Sequence, residues 1–346
     1  MKRKGKGLRI LAWVAGVLAA LLVLPYAYPL SAYTPEKAGA LADGGRLVDV
    51  DGTAVYVRTY LPETRGPDGT LYSMALRGRI LLVHGFGGSG ANWDAVAPAL
   101  AEAGFAVAAA DVPGFGYSDK RIDAATYSHA RNAATLWRLT EILAAQQAVF
   151  DGPWILAGHS MGGTIVSRMA LQEAERIERV VLVDGAVHAA ESGKPGAQGG
   201  LGTALSFPPA GRAAADVLDL LLRFPGSVRG MLASAMGRAP TDEELASYAA
   251  PLRVPGTARA LLAIARSGAG GVPPDLEERL RATGVRVALI WGTEDAWIPI
   301  SSGESLAETF GVPLHRIAGA GHLPMQSHPA AFLDAFEEGL QEGAAP

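Results

Sequence analysis

The pentapeptide Gly158-His159-Ser160-Met161-Gly162 has residue types and spacing suited to nucleophilic catalysis. The apolar run Trp154 to Ala157 before it suits a buried strand, and Thr164 to Ala170 after it reads as the body of a helix. A serine at so sharp a turn is forced into strained backbone geometry, with its hydroxyl at the sheet edge and glycines two residues to either side keeping neighbouring atoms apart. The chemistry this implies is attack of the serine oxygen on an acyl carbon. In a chain with 43 glycines the pattern alone is of modest specificity, so its partners must be sought elsewhere.

A second glycine-rich stretch, His84-Gly85-Phe86-Gly87-Gly88-Ser89-Gly90, follows the apolar strand Arg79 to Val83 and precedes a predicted helix from Asn92 to Ala103. Two chemistries compete for it. Gly85, Gly87 and Gly90 satisfy G-x-G-x-x-G, and Asp111 stands about 20 residues later at the end of the apolar run Phe105 to Ala110, as a dinucleotide-binding oxidoreductase would require. Against that reading stand a hairpin before the strand and the turn Asp111-Val112-Pro113-Gly114-Phe115-Gly116 after it. In the alternative, the loop presents the Phe86 backbone N–H toward Ser160, where it joins the Met161 N–H in holding a developing oxyanion.

HGFGGSG at 84–90, DVPGFGYSD at 111–119, GHSMGG at 158–163, GTEDAWIP at 292–299 and GAGH at 319–322 resemble, in the same order, the α/β-hydrolase fold superfamily. The resemblance spans roughly residues 46–343. It specifies the superfamily more strongly than the substrate, since esterases, lipases, carbon–carbon bond hydrolases, peptidases and cofactor-free haloperoxidases share it. It implies an α/β fold with a mostly parallel central sheet flanked by helices, its core in two parts, 34–186 and 275–346, separated by a helical cap at 187–274.

In that fold the chain order is Ser, acid, His. Asp295, after the strand Val285 to Trp291, is then the acid that orients the base, with Glu294 beside it and Asp184, after the strand Arg179 to Val183, as alternatives. His322, in the glycine loop beyond the strand Leu314 to Ile317, is the base; His315 lies inside that strand and His328 at a helix start. His84 and His159 flank the site as structural hydrogen-bonding groups, and Asp111 supports its own turn. The expected activity is hydrolysis of a carboxylic ester, lipid-like esters included, through an acyl-enzyme on Ser160. The alternatives are a carbon–carbon bond hydrolase using the same triad and, from another class, a nucleotide-dependent oxidoreductase. No cofactor is expected and no metal, because no H-E-x-x-H or similar ligand spacing occurs.

The elements that must position these residues are legible as periodicity. Arg46 to Tyr60 alternates around Asp51-Gly52 as a hairpin, Tyr127 to Val149 reads as the helix feeding the Ser160 strand, and strands alternating with helices imply βαβ crossovers. From 187 to 274 no strand is predicted; Arg212 to Phe224, Asp242 to Ala250 and Thr257 to Arg266 read as amphipathic helices. Thr34 to Gly45 reads as a linker and Leu61 to Gly78 as a surface connection.

Zero cysteines exclude disulfides and thiolate chemistry and leave the redox compartment open. Lys2, Arg3, Lys4, Lys6 and Arg9 leave 25 basic against 34 acidic residues for the remainder, a net −9 that excludes nucleic acid as a partner. Ile10 to Leu24 holds no polar side chain, and residues 10–30 as a helix would extend roughly 31 Å, enough to cross a bilayer core. Residues 1–33 are therefore expected to be an uncleaved single-pass anchor with a cytoplasmic N-terminus and an extracytoplasmic body; a signal peptide cleaved near Leu30-Ser31-Ala32 is the alternative. No obligate protein partner is evident from the sequence.

Overall fold

A computed structural model of the chain describes residues 32–65, 71–121, 127–188, 208–267 and 271–342, together with Trp13 and Gly16. The expected membrane span at 10–30 lies outside the described residues apart from those two; among the described residues no helix is long and apolar enough to cross a membrane.

In the described stretch 32–65 the first element is a helix, α1 (Pro35–Leu41), where the sequence suggested only a linker. Its signals were present but short: Thr34 accepts a hydrogen bond from Lys37 N–H as N-cap, with Pro35 and Glu36 in the first turn. Strands β1 (Arg46–Val50) and β2 (Thr53–Tyr60) pair antiparallel, with Asp51 (φ 50°) and Gly52 (φ 80°) forming the two-residue turn that Asp-Gly favours. The connection that follows contains a small ribbon, β3 (Glu63–Arg65) with β4 (Leu71–Ser73).

The remaining strands are β5 (Gly78–Val83), β6 (Phe105–Ala110), β7 (Trp154–His159), β8 (Ile177–Val183), β9 (Val287–Gly292) and β10 (Leu314–Ile317). The sheet has eight strands in the order β1-β2-β6-β5-β7-β8-β9-β10, parallel from β6 onward. Continuous apolar runs such as FAVAAA in β6 are what a strand covered on both faces requires. Leu81, Val83, Leu156 and Leu182 point into one core layer, while Ile80, Leu82, Ile155 and Val181 point into the other.

Helix α2 (Ala97–Glu102) connects β5 to β6, α3 (His129–Gln146) connects β6 to β7, and α4 (Met161–Gln172) connects β7 to β8. The predicted Asn92–Ala103 helix is instead split into a 3-10 turn at Gly90–Trp93 and α2. The side chains of Ser89 and Asn92 cap the first piece reciprocally, and Pro98 starts the second. Between β8 and β9 the described residues contain five helices and no strand, the first four being α5 (Pro208–Arg223), α6 (Pro225–Met236), α7 (Asp242–Leu252) and α8 (Thr257–Ser267). The sequence signalled α6 least, because Gly226 and Gly230 lower its propensity. Buried Val228, Leu232, Ala235 and Met236 hold it in place. The chain closes with α9 (Leu276–Ala282), α10 (Ile300–Phe310), α11 (Pro324–Ser327) and α12 (Pro329–Gln341).

From β5 the chain moves one way to β6, then returns past β5 to β7. Loops leaving the carboxyl ends of β5 and β7 therefore diverge and open a crevice, the place where doubly wound sheets bind ligands. Both glycine-rich loops of the sequence emerge there.

Candidate active site

Ser160 sits between the last residue of β7 and the first of α4, at φ 50° and ψ −120°. Among the described residues only Asp51, Ser160 and Asp184 are non-glycines at positive φ; the first makes the hairpin turn and the other two stand at the carboxyl edge of the sheet. Such a conformation costs about 1–3 kcal/mol and persists only where its surroundings over-determine it. Here they do. Ser160 N–H donates to Val183 O (3.0 Å), and Ser160 O accepts from Gly163 N–H (2.8 Å) and Ala186 N–H (2.9 Å). A Cβ on Gly158 would collide with the Gly162 carbonyl, and one on Gly162 with the Val83 carbonyl, so both glycines are needed for backbone to approach backbone.

His322 lies on the loop after β10. Its Nδ1 donates to Asp295 Oδ2 at 2.7 Å, and the two side chains are 3% and 0% exposed. Asp295 Oδ1 is taken by the N–H groups of Trp297 (2.7 Å) and Ile298 (3.0 Å), which fix the carboxylate from behind. With Nδ1 engaged as donor, Nε2 of a neutral His322 carries the lone pair. His322 and Ser160 line one cavity of about 190 Å³ with Phe86, Asn92, Tyr248 and Trp297. Met161, which opens α4, contributes a first-turn N–H of the kind that has no partner inside its own helix. The structure thus brings Ser160, Asp295, His322, Phe86 and Met161 to one corner of the sheet.

The neighbouring candidates are separated by environment. Glu294 is exposed, whereas Asp295 is buried. Asp184 is fully buried, and its Oδ1 accepts from Gly292 N–H (2.9 Å) while Oδ2 receives no hydrogen bond. One oxygen from each of Asp184 and Asp295 and one nitrogen of His322 lie within 4.8 Å of one another. Burial first, and then the negative charge of Asp295, push Asp184 well above the usual carboxylate range. That shift favours the neutral form of Asp184, whose O–H can be offered to Asp295.

His159 Nε2 donates to the His322 carbonyl at 2.6 Å, with the two rings 4.7 Å apart. Burial, then His322, hold His159 well below the usual imidazole range, so it braces the His322 loop without adding charge. His84 donates from Nδ1 to Gly85 O (2.7 Å) and accepts from Val112 N–H at Nε2 (3.0 Å). It too is held down by burial. His315 contacts Glu338 (3.2 Å) and His328 contacts Ser327 (2.9 Å), neither at the cavity.

Asp111 does more than support its own turn. It accepts from Gly90 N–H and from Tyr117 N–H, each at 2.6 Å, and so welds the loop after β5 to the loop after β6. Fully buried and bonded to backbone through both oxygens, it is out of reach of a ribose hydroxyl, and the dinucleotide reading of the glycine loop loses its acidic partner. Sequence reasoning assigned no role to Trp297, whose ring lies 5.1 Å from that of His322 and whose Nε1 donates to Ser234 Oγ at 3.2 Å. Its signal was its place two residues after the acid. Ala235 and Tyr248 had no comparable signal, because they reach the cavity from α6 and α7.

The sequence profile of the α/β hydrolase fold matches residues 78–329. The chain belongs to the α/β-hydrolase fold family. An uncharacterized protein of Mycobacterium tuberculosis is 28% identical over 268 residues, 75% of this chain and 74% of that one. The pimeloyl-[acyl-carrier protein] methyl ester esterase of Vibrio atlanticus is 26% identical over 73% of this chain and 90% of its own. The 2-hydroxymuconate semialdehyde hydrolase of Pseudomonas putida is 28% identical over 69% and 78% respectively. In fold, the chain is similar to the crystal structure of a membrane phospholipase A, described as a bacterial virulence factor, with TM-score 0.63, 24% identity, and 99% of this chain and 100% of that one covered.

Proposed function

We propose that this α/β-hydrolase cleaves a carboxylic ester by a Ser160–His322–Asp295 triad, with its body tethered outside the cytoplasm by residues 10–30. The observation that carries the reading is that His322, paired with Asp295, lines the same cavity as a serine at positive φ. Ser160 Oγ attacks the ester carbonyl carbon while its proton passes to His322 Nε2. Asp295 holds the ring through Nδ1–H and stabilises the imidazolium. The carbonyl oxygen gains charge against the N–H groups of Phe86 and Met161. His322 then returns the proton to the departing alkoxide, and a water molecule, deprotonated by the same nitrogen, releases the acid and regenerates Ser160.

The cavity chemistry favours an ester over the carbon–carbon bond alternative. A muconate-type substrate carries a carboxylate, and burying it needs a cation; among the described lining residues there is no Lys or Arg. At about 190 Å³ the enclosed space is below the usual ~300–1,000 Å³ of ligand pockets, so it holds one short arm of the ester while the other arm leaves past Phe86 and Trp297. The full chain should hydrolyse p-nitrophenyl butyrate, Ser160→Ala should abolish that activity, and a 2-hydroxymuconate semialdehyde should be untouched. Turnover of the last compound without ester hydrolysis would reverse the choice.

A further inference from the structure

A helix on a water-soluble surface turns its apolar residues inward and its charges outward. Helix α5 does the reverse. Val217, Leu220 and Leu221, at i, i+3 and i+4 of α5, and Phe224 in the extended link just after it, are 57%, 56%, 48% and 58% exposed. Asp219 on the opposite side is only 9% exposed, and Asp216 Oδ1 is buried without a hydrogen bond. The cations facing Asp216 are Arg212 on α5 itself and Arg259 on α8. The helix packs on α6, α7 and α8 through its charged side and through Leu218 and Leu222, leaving a continuous apolar stripe outside. Exposed stripes of this kind mark a binding surface, and leucine with phenylalanine on one helix face is the pattern that lies in a lipid interface.

Two further observations choose the occupant. Tyr33 packs on the turn that leads into α8: a Cβ on Gly256 would lie 3.4 Å from the Tyr33 Cβ, and Tyr33 OH donates to Tyr117 O at 3.1 Å. Only three chain steps lead from Leu30 to Tyr33, a reach of at most about 10 Å. A span ending near residue 30 therefore leaves the α7–α8 turn within about 10 Å of the hydrocarbon boundary, inside the headgroup layer or against it. In addition, α6 starts directly after Phe224 and carries both Ala235, which lines the cavity, and Ser234, which holds Trp297.

From this we propose that the Val217–Leu220–Leu221 face of α5, with Phe224 in the link beyond it, lies in the interfacial layer of a phospholipid bilayer, so that the cap rests on the membrane that supplies the substrate. The inference rests on the anchored reading above, and the test separates the two. Because the chain has no cysteine, Leu221→Cys and, at the exposed end of α2, Glu102→Cys each carry one environment-sensitive fluorophore. Each full-length protein is reconstituted in phosphatidylethanolamine–phosphatidylglycerol vesicles, and its hydrolysis of p-nitrophenyl butyrate in detergent is checked to be unchanged.

The label at Leu221 is expected to brighten about 3-fold or more and to be quenched by spin-labelled lipid but not by aqueous iodide; the label at Glu102 shows the opposite quenching. Equal iodide quenching at both positions, in protein that still floats with the vesicles, rejects the docking face and leaves the anchor standing. Protein that fails to float rejects the anchor and the docking together. Brightening that ignores spin-labelled lipid and disappears as the protein-to-lipid ratio is lowered assigns the stripe to a second copy of the chain, against the proposal.

Discussion

On the sheet side of the cavity Ser160 is fixed by backbone bonds to Val183, Gly163 and Ala186, and Asp295 by Trp297, Ile298 and His322. On the cap side Ala235 and Tyr248 are fixed by apolar packing among Leu232, Met236, Leu245 and Leu252. The Tyr248 hydroxyl, pushed up to about 12 by burial, sits in that apolar wall. The first wall tolerates almost no displacement, because the Ser160 backbone and the Asp295 carboxylate are each held by several hydrogen bonds. The second can be repacked. Chemistry and selectivity are thus assigned to different walls, and substitutions on each should fail in different ways.

The largest effect belongs to the sheet wall. His322→Ala should lower kcat/KM for p-nitrophenyl butyrate by about 10³-fold or more, with thermal stability nearly unchanged. A loss below about 10-fold would remove His322 from the chemistry and with it the contrast between the walls.

Asp295→Asn should cost about 10²–10⁴-fold in kcat, because the neutral amide no longer fixes the His322 tautomer. Asp184→Asn should cost less than about 10-fold, since an amide N–H can replace the O–H offered to Asp295. The reverse ranking would move the acid to β8. Stability carries a second signature. The folded pKa of Asp184 is raised, so its stabilising contribution is complete below about pH 4, where the unfolded chain is also protonated, and is lost as pH rises toward the folded value. The melting temperature of Asp184→Asn relative to the parent should therefore climb between pH 4 and pH 8; a pH-independent difference would mean that Asp184 is ionised in the native chain.

Much of the sheet wall was legible in the sequence. A turn that needs glycine on both sides of a serine, a two-residue Asp-Gly hairpin and apolar runs of strand length are local signals, and the order of acid and base followed from the fold they implied. The upward shift of Asp184 was not legible, because it arises from burial and from its approach to Asp295 just after the neighbouring strand. Nor was the Asp111 link to Gly90, which joins loops 21 positions apart. The cap wall was hardest to read. Helix α6 forms against its own propensity, and nothing in the spacing of Ala235 or Tyr248 marks them as cavity residues.

A smaller effect belongs to the cap wall. Ala235→Phe should fill the cavity and change the preference between acetate and octanoate p-nitrophenyl esters by about 10–100-fold, leaving the acetate rate within a few-fold of the parent. Equal losses on both esters would show that the cap wall is as intolerant as the sheet wall.

The central claim, that Ser160 is the nucleophile of the triad, is tested most directly by treating the full chain and its Ser160→Ala variant with a fluorophosphonate and mapping the adduct by peptide mass spectrometry. The account predicts a single adduct on Ser160, none on the variant, and loss of esterase activity in proportion to labelling. An adduct on any other residue, or labelling that survives Ser160→Ala, would contradict it.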